Sequence, residues 1–290
     1  MVESNAVKSS IRWGSYPLIF LGCSFLQWQI IEQGLPYWPL TPLVATVGIV
    51  LIALLERVQP YEAAWNYDHD DTAVDVLHAA FSLTLIFTVV EISTFSRSFL
   101  PDAFLNIASV WPVESPLWVQ VLLAGAIIDF GLWFMHWLSH QNHFLWRLHA
   151  LHHSSERLYW LNGERRHPIS ALLLASPGLI VAIVLGAPAP VIGCWFAIIA
   201  VHLAFQHSNL DYSVGIFRHV LGVAEIHRWH HKREYEDAQV NFGEFWMIWD
   251  QLFRTFKYQK NGVRAGEVGM RENMPSTYLK QLQWPFAGRL

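Results

Sequence analysis

Three histidine groups constrain this chain more than any other feature: His136-x-x-x-His140, His149-x-x-His152-His153 and His227-x-x-His230-His231. Together they hold eight of its fifteen histidines. Residues three and four apart share a helix face, so each group presents its imidazoles together if its segment is helical. Imidazole is the commonest side-chain metal ligand. Eight imidazoles on three helix faces exceed what one tetrahedral or octahedral ion needs, and two metal ions fit the count better. A fold that uses them has to bring three separated helical segments to one place.

The rest of the chain reads as membrane protein. It is 53% hydrophobic and 14% charged, where a soluble domain carries about 25% charged residues. Six apolar stretches follow one another: residues 16–31, Leu40 to Leu55, Val74 to Val90, Leu117 to Leu138, Ile169 to Leu185 and Val191 to Gln206. The first has Lys8 and Arg12 before it but no small-residue cleavage site after it, and it reads as a signal anchor. Pro101, Pro112 and Pro116 mark residues 93–116 as an interfacial loop, and Pro177-Gly178 should kink the fifth stretch. The expected architecture is an all-α polytopic membrane bundle of about six spans, with a cytoplasmic helical cap carrying the histidines. Its divisions are N-terminal spans and loop over 1–115, a catalytic domain over 116–260, and a loosely ordered polar tail over 261–290. Cys23 and Cys194 both lie in apolar runs, which leaves no disulfide framework and no cysteine-held cluster. The net charge of −4 gives no indication of nucleic acid.

With six spans, only Arg97 of the 19 Lys and Arg residues falls on one side of the membrane. The positive-inside rule makes the other side cytoplasmic. Both termini and all three histidine groups share it. The membrane is the bacterial plasma membrane or the endoplasmic reticulum, which the sequence does not resolve.

Neutral imidazoles leave metal charge uncompensated, so carboxylates should orient them. Asp129 lies two turns before His136 within an apolar span and is expected to support His136 rather than to ligate. His207 ends the sixth stretch at the depth of the groups and is expected to join the ligands. His202, a turn deeper, is either a second ligand or a buried hydrogen-bonded residue, the latter being favoured. His167 is either a ligand or a residue supporting one. Asp68-His69-Asp70-Asp71 reads as a solvated loop, and Asp75 with His78 as structural. The spacing of Phe242, Phe245, Trp246, Trp249, Leu252, Phe253 and Phe256 predicts an amphipathic helix.

The three groups, with two apolar stretches between the second and third, resemble the fatty acid hydroxylase / sterol desaturase superfamily of membrane di-iron enzymes. Supporting segments are Leu145-Trp146-Arg147, Arg165-Arg166-His167-Pro168, Glu225, Asn241-Phe242-Gly243 and Trp249 to Phe256. Two positions depart from the family pattern. Trp137 stands where the first group usually has arginine, and Ser170 stands where His-Pro-hydrophobe-Glu would have glutamate. The resemblance implies a cap holding two Fe ions, O2 as co-substrate and a fatty-acyl or sterol-like lipid. It also implies an external electron donor of cytochrome b5 or ferredoxin type. Its pattern has no ligand at His143, and it agrees with an additional one near His207.

Imidazole suits Fe, Zn, Cu or Ni, and iron enters only through the resemblance. The expected reaction is hydroxylation of a lipid C–H bond, with desaturation at the same site as the alternative. A metal transporter would hold its ligands near the bilayer midplane, whereas these lie at span ends. A metallohydrolase would usually add carboxylates. The oligomeric state is not legible.

Overall fold

The computed structural model describes residues 2–97 and 110–287. Residues 98–109 of the expected interfacial loop, and Arg289 of the tail, lie outside them. Among the described residues the chain is all-helical, with isolated β-bridges and no strand. Helix α1 (Val2–Tyr16) passes through a π-helical turn at Pro17–Leu21 into α2 (Gly22–Glu32). Then come α3 (Tyr37–Val58), α4 (Thr72–Arg97), α5 (Leu117–Gln141) and α6 (His143–His153). After a 3-10 turn follow α7 (Pro168–Val184), α8 (Ala189–His207), α9 (Ala224–His230), α10 (Ile248–Leu252) and α11 (Tyr278–Gln283).

Among the described residues three helices are long and apolar enough to cross a membrane: α3, α5 and α8. Helix α7 is apolar but shorter, at 17 residues. Six spans were expected, and helices occupy all six stretches, three of them meeting full span length and hydropathy. Many apolar side chains point outward, among them Leu43, Val47, Leu54, Ile180 and Val184. Such a surface is stable only against lipid or protein.

The 25 residues of α5 extend about 37 Å at about 1.5 Å per residue, more than a hydrocarbon core of about 30 Å. Its last two turns carry His136 and His140. Asn142 then ends α5 and starts α6, its side-chain oxygen accepting from the Phe144 and Leu145 amides at 3.0 and 3.1 Å. Helices α5 and α7 approach backbone to backbone at Gly131 and Gly178, where neither position has room for a Cβ. Across this contact α7 runs as one helix with Pro177 inside it.

Two further expectations change. The aromatic stripe from Phe242 to Phe256 is not one helix. Only Ile248–Leu252 is helical, and residues 240–247 form a loop. The cause is that carboxylates take this segment's amides. Asp250 accepts from Phe242 N and Gly243 N at 2.9 and 2.7 Å, and Asp129 from Phe245 N and Trp246 N at 2.8 and 3.1 Å. The tail, expected to be loose, is tied down over its described part. Gln281 of α11 bonds His78 at 2.8 Å, and Arg147 reaches the Trp284 and Pro285 carbonyls at 2.7 and 2.8 Å.

Candidate metal centre

Nine histidines converge at one end of the bundle in two groups. His136, His140, His149, His153 and His230 form the first, and His152, His207, His227 and His231 the second. Within each group, one nitrogen per residue lies within 4.8 Å of every other, and all nine side chains are buried. Nitrogens at about 2.1 Å on opposite sides of an ion would stand about 4.2 Å apart, so each group has the dimensions of a single-ion site. Two helix ends and two short helices supply them: the ends of α5 and α8, and α6 and α9 with the residue after it. The groups adjoin, with His153 and His231 rings at 4.7 Å and His230 and His227 rings at 5.1 Å.

The division between the groups does not follow the sequence clusters. On α6, His149 and His153 are i and i+4 and go to the first group, while His152 turns to the second. On α9, His227 and His231 go to the second group and His230 to the first. Two interleaved i, i+4 pairs with one residue between them thus knit both groups into each helix.

The nitrogens have the chemistry of ligands without protons. His136, His140 and His230 have Nε2 buried without a hydrogen-bond partner among the described residues, and His149 and His153 have both ring nitrogens so. In the second group Nε2 atoms face one another: His207 with His227 at 3.0 Å, His227 with His231 at 3.1 Å, His152 with His207 at 3.3 Å. Orphaned buried polar atoms are costly, and here they point at common centres. Outside the spans, His149, His152, His153, His227, His230 and His231 are all held well below the ordinary imidazole range. Burial is the first cause, and neighbouring imidazoles add to it. These residues are therefore neutral near pH 7, the form that binds a cation.

Backbone carbonyls orient the rings. His136 Nδ1 lies 2.8 Å from the Phe242 carbonyl, His230 Nδ1 2.8 Å from Val240 O, and His207 Nδ1 3.1 Å from Leu203 O. Donation from Nδ1 fixes the tautomer and turns Nε2 inward. His140 Nδ1 sits 3.1 Å from the Gln239 side-chain amide, and its backbone carbonyl accepts the Tyr235 hydroxyl.

Asp129 does not touch a histidine. It accepts from the Phe245 and Trp246 amides and from Trp249 Nε1 at 2.9 Å. It thereby holds the 240–247 loop, which presents the Phe242 and Val240 carbonyls to His136 and His230. His202 and His167 stand outside both groups with their nitrogens engaged. His202 bonds the Tyr16 hydroxyl at 2.8 Å and the Gly222 carbonyl at 3.0 Å. His167 caps α7 through the Ile169 amide and reaches Leu282 O, both at 3.2 Å. Asp68 and Asp71 hold the buried Arg157, and Asp75 pairs with Arg165.

Sequence reasoning missed Glu244. Buried, it stands 3.6 Å from His136 Nδ1 and 3.4 Å from Arg166. Gln206 also went unnoticed; it donates to the Gly243 and Glu244 carbonyls at 3.0 and 2.8 Å and so clamps the loop. The signal available was the Arg165-Arg166 pair between apolar stretches, since a buried arginine requires an acceptor.

The fatty acid hydroxylase family profile matches residues 121–255, which span all nine histidines. An ornithine lipid hydroxylase of Rhizobium tropici is 33% identical over 82% of this chain and 73% of its own length. Human alkylglycerol monooxygenase is 28% identical over 53% of this chain and 34% of its own length. A very-long-chain aldehyde decarbonylase of Oryza sativa subsp. indica is 28% identical over 54% and 62%. No solved structure matches. With the histidine groups, the apolar helices and these relatives together, the chain belongs to the fatty acid hydroxylase family and is an oxidoreductase.

Proposed function

We propose that the nine histidines hold two iron ions and that the chain uses O2 to hydroxylate a C–H bond of a membrane lipid. The observation that carries this is the convergence of nine buried imidazoles into two adjoining ion-sized groups. Among the described residues neither group contains a carboxylate, which favours an oxidative site over a hydrolytic one. Ornithine lipid is the first substrate to test, given the relative that matches most of the chain. Electrons would come from an external donor of cytochrome b5 or ferredoxin type. The histidine groups and both termini would face the cytoplasm.

Bound iron would supply the O2 activation that no side chain provides. The chain's own contribution is positioning and dryness. The loop carbonyls of Val240 and Phe242 hold His230 and His136 in one tautomer. The Phe242 ring packs on His136, His140 and His230 at 5.7, 5.1 and 5.4 Å and closes the first group from that side. Trp146 covers His140 and His153 at 4.9 and 5.3 Å. The Arg166–Glu244 pair sets a fixed charge arrangement beside His136.

The test is a lipidomic comparison of host cells with the wild-type chain, with His152→Ala and with His230→Ala, one substitution from each group. A lipid gaining one oxygen only with the wild-type chain supports hydroxylation. A lipid losing two hydrogens identifies the desaturase alternative instead. Unchanged lipid oxidation in both variants contradicts catalysis at this site.

A further inference from the structure

On the side of α9 away from the histidine groups lies a cavity of about 430 Å³ that no histidine lines. Five cations border it: Arg12, Arg218, Arg228, Lys260 and Arg264. Only two carboxylates do, Asp211 and Glu225, and they are taken by Arg12 at 3.1 Å and Arg218 at 2.5 Å. Arg228 is buried, with its guanidinium 3.7 Å over the Tyr61 ring, and Arg264 lies 5.0 Å from the same ring. Arg228 gives one nitrogen to the Ser208 and Leu210 carbonyls, while its Nε is buried with no partner among the described residues. Among those residues Lys260 makes no ion pair, and Arg264 offers Glu267 only its backbone amide. A buried guanidinium with an unused donor, beside an unpaired lysine and the exposed guanidinium of Arg264, is a built anion site.

The rim identifies the source of the anion. Trp13 lines the cavity and is exposed, and Leu18 and Leu21, just beyond it, are 76% and 60% exposed. A tryptophan one turn before an outward apolar run marks the headgroup level of a bilayer. A concavity of this volume admits a small headgroup, whereas a protein partner would call for a broader contact face. We infer that this cavity binds the headgroup of an anionic phospholipid, its phosphate between Arg228, Arg264 and Lys260 and its acyl chains running past Trp13. The short helix α9 then has Arg228 on the lipid headgroup and His227, His230 and His231 on the metal groups.

The full chain, purified in detergent, is titrated calorimetrically with short-chain phosphatidylglycerol, short-chain phosphatidylcholine and inorganic phosphate. Phosphatidylglycerol should bind saturably, at least about tenfold more tightly than either of the others, and more weakly as salt is raised. Lys260→Gln with Arg264→Gln should weaken it about tenfold or more, since each loses a charge-assisted contact. Arg264→Lys alone should retain most of the binding. Both altered positions are exposed, and an unchanged metal content shows that the double variant is folded. Equal binding of phosphatidylcholine, equal binding of inorganic phosphate, or wild-type binding by the double variant overturns the assignment. So does binding of an acidic ferredoxin, dependent on Lys260 and Arg264, in the absence of phosphatidylglycerol binding.

Discussion

Asp129→Asn isolates the idea that a carboxylate within α5 acts on the metal groups through a loop. The two carboxylate oxygens accept three donors: Oδ1 takes Phe245 N, and Oδ2 takes Trp246 N and Trp249 Nε1. Asparagine keeps one oxygen. Its better orientation leaves that oxygen at the Oδ2 position and turns an NH2 group toward the Phe245 amide, donor against donor. One buried N–H is then unpaired, at a cost of about 1–3 kcal/mol. Asp129→Ala leaves three unpaired and should cost more. The 240–247 loop loosens first, and with it the Phe242 and Val240 carbonyls that orient His136 and His230. Loss of such support typically lowers metal affinity about 10–100-fold. The assay is competition for iron against a chelator of known affinity, alongside thermal unfolding in detergent. A weakened metal site in Asp129→Asn, with a lower Tm, is the expected result. Wild-type metal affinity at a lowered Tm would refute the coupling, because the loop would then be loosened without consequence for the histidines.

Other substitutions separate support from scaffold. Glu244→Gln removes the buried negative charge that faces Arg166 beside His136 and should weaken metal binding by about tenfold or more in the same competition. His202→Ala removes the partner of Tyr16 and Gly222, so unfolding measurements should show a loss of about 1–3 kcal/mol while metal content stays at the wild-type value. Arg165→Met strands the buried Asp75 carboxylate and should destabilise by about 3–5 kcal/mol, read as a lower Tm with no change in metals per folded chain.

Helical spacing made eight of the nine converging histidines visible in the sequence, and the position of His207 at the end of an apolar stretch exposed the ninth. It did not reveal how they divide. A cluster such as His149, His152 and His153 defines a face about a quarter-turn wide, and two adjoining sites divide that face in a way only three-dimensional packing decides. The orienting acceptors are mostly backbone carbonyls, of Val240, Phe242 and Leu203, and a carbonyl carries no residue signature. Aromatic spacing over 242–256 was misleading as a helix signal because Asp129 and Asp250 bind amides that a helix would otherwise use. The apolar stretches located the helices, but α7, at 17 residues, is shorter than a full span, a length set by where the helix caps rather than by hydropathy. His167 and His202 illustrate the limit of residue type: near the groups in sequence, both are already bonded elsewhere.

Metal stoichiometry tests the two-ion reading most directly. The full chain, expressed in iron-supplemented cells and purified in detergent, is analysed for metals per polypeptide by mass spectrometry, together with His230→Ala and His231→Ala. Two irons per wild-type chain are expected, with each substitution removing about one because each residue belongs to a different group. One metal or none in the folded wild-type chain, or a single substitution that leaves both ions in place, would contradict it.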